Sequence, residues 1–199
     1  QTMQAKLDEA ILADKAPMTA EERFNKTLVA LIVEIAEVSN CSEHFKFWKD
    51  NKGKVDRDRF YCIPQTVREG EAVIPKYVDL ESNNPGGLSF AEAHKRTLIE
   101  ECSDALHFIL SLANQVSYKI NEIGKYFEIV DDVDSLERNV LFLNQVIGFG
   151  DFNHFHSDLE MIIDLFFIYI NQLDISEQEL EQAYYDKNKI NYERLENGY

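Results

Sequence analysis

The sequence predicts an all-α protein, a helical bundle of about six helices with one long non-helical insert between two of them. Three observations carry that expectation. Apolar residues recur at three and four positions along two long segments, which is the period of a buried helix face. Gly148 and Gly150 punctuate a junction between later helical runs, as helix ends require. Three of the four prolines, Pro64, Pro75 and Pro85, lie with the Gly86-Gly87 pair inside one stretch, Asp50 to Phe90, that no long helix can cross.

A first helix is read at about Thr2–Ala13. From Glu21 to Lys49, Phe24, Leu28, Leu31, Ile32, Ile35 and Val38 keep helical spacing, and Thr19 stands ahead of them as an N-cap. Within the insert, Phe60–Val67 and Ala72–Leu80 flank Arg68-Glu69-Gly70-Glu71 and read as a short β-hairpin. Some forty residues without helix is long, and such loops are usually functional or mobile. A second strong run, about Ala91 to Tyr118, repeats Leu98, Ala105, Leu106, Ile109 and Leu112 and should pack on the first. Later helices are read at about Val133–Ile147, Asn153–Leu173 and Ser176–Asn197, with Asp174 or Ser176 opening the last. The 199 residues are expected to make a single domain, with the insert at about 50–90.

The 36 acidic and 20 basic residues leave a net charge of −16, a poor footing for holding a polyanion by counterion release. Direct nucleic-acid binding is therefore not expected. A small anionic ligand needs bound cations or a local basic patch instead. Cys41, Cys62 and Cys102 are odd in number and widely spaced, which suits a reducing cytoplasm better than a disulfide framework or a zinc site. No charge-free stretch reaches membrane-spanning length, and Gln1 to Ala13 carries no apolar signal core, so no membrane association is expected.

Glu34-Ile35-Ala36-Glu37 places two acids one helical turn apart, within an apolar periodic run. Glu101 and Asp104 repeat the spacing on the second long helix. If the two helices pack face to face, four carboxylates converge. Without a cation they would repel one another and resist ionisation, whereas Mg²⁺ takes few carboxylates, keeps several waters and adds phosphate oxygens. The chemistry that follows is metal-assisted phosphoryl transfer to water. Each pair alone is more often a solvated helix face, and it is the two pairs together, each within an apolar run, that point to a site. Asp104-Ala105-Leu106-His107 also resembles half of a di-iron carboxylate-x-x-His device; Asp151-Phe152-Asn153-His154 has the spacing of the second copy it needs, but lies just after Gly148 and Gly150, where a helix is only beginning.

Lys187, Asn191 and Arg194 fall at i, i+4 and i+7 and form one polar stripe. Lysine and arginine can clamp phosphate oxygens and asparagine can reach a sugar hydroxyl, though the stripe reads equally as a solvated face. His44-Phe45-Lys46-Phe47-Trp48-Lys49 puts aromatics where a base could stack, or simply adds to the core.

Taken in order, these motifs resemble the dimeric, all-α dUTP pyrophosphatases of the MazG-type superfamily. The resemblance rests on Glu34-Ile-Ala-Glu37-Val-Ser-Asn40, Phe45-Lys-Phe-Trp48, Glu100-Glu101-Cys-Ser-Asp104-Ala-Leu-His107 and Lys187-Asn-Lys-Ile-Asn191-Tyr-Glu-Arg194, with Met3-Gln4-Ala-Lys-Leu7-Asp8 at the amino end. It implies hydrolysis of dUTP, and of dUDP, to dUMP by a homodimer using two or more Mg²⁺ ions. By the same resemblance Glu34, Glu37, Glu101 and Asp104 are metal ligands, one of the first pair also activating the water. Gln4 and Asp8 lie at the nucleoside, Trp48 and His107 near the base, and Lys187, Asn191, Arg194 and Tyr199 over sugar and phosphates. The Arg57 to Gly87 stretch is longer than the resemblance implies, and Leu195 stands where many members have Gln. Two alternatives stay open from the residues: a related pyrophosphohydrolase acting on another nucleotide such as dCTP, and a non-catalytic helical interaction module that uses the insert as its binding surface.

Overall fold

The computed structural model describes residues 1–13, 15–66, 73–81, 87–121 and 135–197. Among them six α-helices and one hairpin alternate in the order α1 (Thr2–Leu12), α2 (Ala20–Ser42), β1 (Phe60–Thr66), β2 (Val73–Asp79), α3 (Phe90–Gln115), α4 (Leu136–Gly148), α5 (His156–Gln172) and α6 (Glu177–Glu196). The all-α bundle with a hairpin insert is what the apolar periods and the placement of proline require. Two expected features, the Arg68 to Glu71 turn and the Val133 start of the fourth helix, fall outside the described residues.

Helix α2 packs along α3, and their facing apolar stripes make the centre of the core. Leu31, Ile35 and Val38 meet Cys102, Ala105, Ile109 and Leu112 there, all essentially inaccessible to water. Each such aliphatic side chain contributes about 1.5–3 kcal/mol by leaving water. Helices α4 and α5 add Leu143, Ile147, Leu159, Ile162, Phe166 and Tyr169. Phe155 meets Phe24 edge to face at 4.8 Å between ring centroids. Thr19 caps α2 by accepting from the Glu22 N–H at 3.1 Å, and Ser176, rather than Asp174, opens α6 with a reciprocal capping box to Glu179.

Helix α2 stops at Ser42 instead of running to Lys49. Glu43 turns into the left-handed region, φ 55°, and its buried carboxylate gathers Lys46, Lys49 and the Gly53 N–H. These donors satisfy the carboxylate only if the chain reverses, and that ends the helix. Similarly α5 begins at His156, because Asp151 accepts from the Asn153 N–H in a turn that precedes it. The reversal after α2 is closed by Gly53, at φ 101°. A Cβ there would come within 2.9 Å of the His94 ring, which itself donates from Nδ1 to the Lys54 carbonyl at 2.7 Å. Gly53→Ala should therefore lose about 1–3 kcal/mol, seen as a lower urea midpoint at unchanged m-value.

The hairpin strands pair antiparallel, Phe60 opposite Asp79 and Pro64 opposite Pro75. In a two-stranded ribbon both strands are edges, so two prolines are tolerated. Tyr77 and Leu88 exchange backbone hydrogen bonds, which leads the chain back into α3. All three cysteines are free, Cys41 and Cys102 buried and Cys62 exposed. No described helix is long and apolar enough to cross a membrane.

Candidate active site

Three carboxylates meet where α2 crosses α3. Glu34 from α2 and Glu101 and Asp104 from α3 each bring an oxygen within 4.8 Å of the others. The local reason is the one read from spacing: Glu101 and Asp104 are one turn apart on α3, and the apolar seam beside them fixes α2 against it. All three are half-buried, while Glu37 is exposed on the next turn of α2. Glu37 is close enough for its charge to act on both Glu34 and Glu101.

Their electrostatics is that of a site wanting cations. Burial, then the charges of Asp104, Glu34 and Glu37, push the Glu101 carboxyl up to about 7. Burial and Asp104 raise Glu34. Burial also raises Asp104, against the pull of Lys187. This donor set fits a hard divalent metal, which would supply the positive charge that three half-buried carboxylates lack.

Lys187 from α6 is the nearest cation, its Nζ 2.8 Å from Asp104 Oδ2 and 3.0 Å from Glu100 Oε1. Burial works to lower its pKa, but Asp104 and Glu100 outweigh that and raise it, so it stays an ammonium. Arg194, two turns on, acts on Asp104 by its charge. Asn191 lies half-buried between them on the same helix. The stripe at Lys187, Asn191 and Arg194 thus runs beside the carboxylates.

Behind α3 lies a buried polar network. Gln4 is 3% exposed and Asp8 9%. Gln4 Oε1 accepts from His107 at 2.6 Å and from the Tyr184 hydroxyl at 3.3 Å, while its Nε2 donates to Asp8 Oδ1 at 2.8 Å. Asp8 Oδ2 takes Ser111 Oγ at 2.8 Å and Arg23 Nη2 at 3.1 Å. Because the amide oxygen only accepts, the His107 proton sits on Nδ1. Burial, and then the Lys187 charge, lower the His107 pKa to about 4, so the ring is neutral. His107 Nε2 is a buried acceptor with no partner among the described residues, and on α6 the Asn188 Nδ2 is likewise a buried donor without one.

The sequence-predicted site residues therefore fall into groups. Glu34, Glu101, Asp104 and Lys187 come together, with Glu37 and Arg194 in electrostatic reach; Gln4, Asp8 and His107 form the network behind them. Trp48 is 64% exposed beyond the end of α2, edge to face with Phe45 and Phe47. Tyr199 lies outside the described residues. Sequence reasoning gave no role to Glu100 or Tyr184, which touch these groups, or to Arg59, which touches Glu100. Glu100 had a signal, standing one turn before Asp104 on the same face, and Tyr184 stands one turn before Lys187. The second carboxylate-x-x-His copy does not join the site, since His154 pairs with its own Asp151 at the surface.

The model of the dUTPase family matches residues 1–60 and 89–199, which hold every one of these groups. The chain belongs to the dUTPase family. This dUTPase hydrolyses dUTP to dUMP and is a metal-dependent enzyme, which replaces the reading as a non-catalytic module. The stretch left unmatched, residues 61–88, is most of the hairpin insert. No curated protein matches the chain.

Proposed function

We propose that this dUTPase works with two or more Mg²⁺ ions held by Glu34, Glu37, Glu101 and Asp104, and that it accepts dUDP as well as dUTP. The carboxylate triangle carries this reading: three oxygens within 4.8 Å suit small, hard ions that also take water and phosphate oxygens. Bound Mg²⁺ would supply neutralisation of the charge that develops on the phosphates. The proton of the attacking water goes to Glu34 or Glu37, and Glu37, exposed and outside the triangle, is the freer of the two. Lys187, Asn191, Arg194 and Tyr199 close over sugar and phosphates.

The buried network supports the base preference. Gln4, itself held by Asp8, fixes His107 with a bare Nε2 acceptor. Uracil offers an N–H at N3, whereas cytosine offers only a lone pair there. A dCTP base would thus set acceptor against acceptor, and unpaired buried polar groups discriminate strongly. Trp48 offers its ring to the same base. Homodimerisation is supported by α2, which leaves Val29 and Val33 exposed one turn apart; sedimentation velocity tests it.

A substrate panel tests the rest. Release of dUMP and pyrophosphate from dUTP should require a divalent metal, with kcat/KM for dCTP at least about a hundredfold lower. Glu37→Gln should lower kcat about a hundredfold. Turnover by Glu37→Gln equal to wild type, or a preference for dCTP, overturns the respective assignment.

A further inference from the structure

Among its described residues, the hairpin insert reaches the active site through the side chain of Arg59. Arg59, just before β1, is gripped by Asp79 at the end of β2: Nε to Oδ1 at 3.2 Å and Nη2 to Oδ2 at 3.1 Å. Asp79 is 2% exposed and is held in turn by Arg96 Nη1 at 2.8 Å and by the Glu81 N–H at 3.1 Å. Glu81 Oε2 also stands 3.4 Å from the Arg59 Nε, and the remaining nitrogen, Nη1, faces α3. It donates to Glu100 Oε2 at 2.9 Å, while Glu100 Oε1 accepts from Lys187 Nζ at 3.0 Å. Arg59, Asp79, Arg96, Glu100 and Lys187 line one groove of about 940 Å³ between the hairpin, α3 and α6.

We propose that the insert takes part in nucleotide binding, with Arg59 as a positioning residue that sets Lys187 through Glu100. The two oxygens of Glu100 are divided between two cations. Arg59 occupies one, so Lys187 has a single oxygen there and remains shared with Asp104, 2.8 Å away. Without Arg59, Glu100 would offer both oxygens to the ammonium and draw it off the carboxylate site. Asp79, which fixes Arg59, lies in the segment that the family model does not match, while Arg59, Glu100 and Lys187 lie in the matched segments. The insertion thus brings its own buried carboxylate to hold an arginine on the common part of the site.

The inference rests on the reading that Lys187 contacts the substrate phosphates, and a double-mutant cycle tests both separately. The readout is calorimetric affinity for α,β-imido-dUTP with Mg²⁺, in wild type, Arg59→Gln, Lys187→Gln and the double variant. Arg59→Gln should weaken binding about tenfold and Lys187→Gln about thirtyfold, with the double variant no weaker than Lys187→Gln alone. Multiplying losses would make Arg59 a structural anchor only and overturn the proposal. Lys187→Gln binding as wild type would remove the phosphate contact itself, and the proposal with it. Should Arg59→Gln not fold, because buried Asp79 loses one of its two guanidinium partners, Glu100→Gln takes its place in the same cycle with the same expected non-additivity.

Discussion

Glu101→Gln should turn over dUTP at least about a thousandfold more slowly than wild type and yet, without divalent metal, melt at a higher temperature. Removing one of the four carboxylates proposed to hold the metal should cost several kcal/mol of charge stabilisation, and each 1.36 kcal/mol is a factor of ten in rate. The stability change has the opposite sign because Glu101 is ionised at its neighbours' expense. Its carboxyl is raised from an ordinary value of 4.5 to about 7. Below pH 4.5 it is protonated in both folded and unfolded chains and costs nothing. Between 4.5 and 7 the unfolded chain releases the proton and the folded one keeps it, so stability falls; above 7 the penalty is complete. Since the group is only half-buried, solvent screening reduces the penalty to about 1–2 kcal/mol, or about 2–8 °C in Tm at pH 8. Differential scanning calorimetry in EDTA reads it. A variant melting below wild type at both pH 4.5 and pH 8 would show that the carboxylate holds the fold together.

Adding Mg²⁺ to metal-free wild-type protein should reverse that penalty. At a hundredfold excess over Kd the gain is about 2.7 kcal/mol, roughly 5–11 °C for a chain of this size. The shift should be only about half as large at pH 6 as at pH 8, because a Glu101 carboxyl near 7 must first give up its proton. Glu101→Gln should show less than about 2 °C. Equal shifts at the two pH values, or in the variant, would place the cation elsewhere.

What was legible in the sequence was legible because it is local. The carboxylate triangle follows from three-residue spacing on two helices whose apolar faces determine how they meet. The hairpin strands follow from where proline and glycine exclude helix. What was not legible depends on partners far along the chain. Nothing near Glu43 announces that Gly53, ten positions on, will help end α2 there, and the aromatic run His44 to Trp48 reads as more helix. That the Gln4 amide engages His107 and Tyr184, 103 and 180 positions away, has no local signal either. Glu100 gained its role from Arg59 and Lys187, neither of which is near it in sequence.

The bond from the Tyr184 hydroxyl to Gln4 also sets an order of assembly. The first helix can rest on α3 through His107 and Ser111, but it completes its contacts only when the last helix arrives, and closing so long a loop is among the slow events of folding. On a ribosome, residues 34, 101 and 104 emerge well before residue 187. A nascent chain therefore carries its three acids for a time without the ammonium that balances them, and a passing divalent cation would be the first counter-charge they meet.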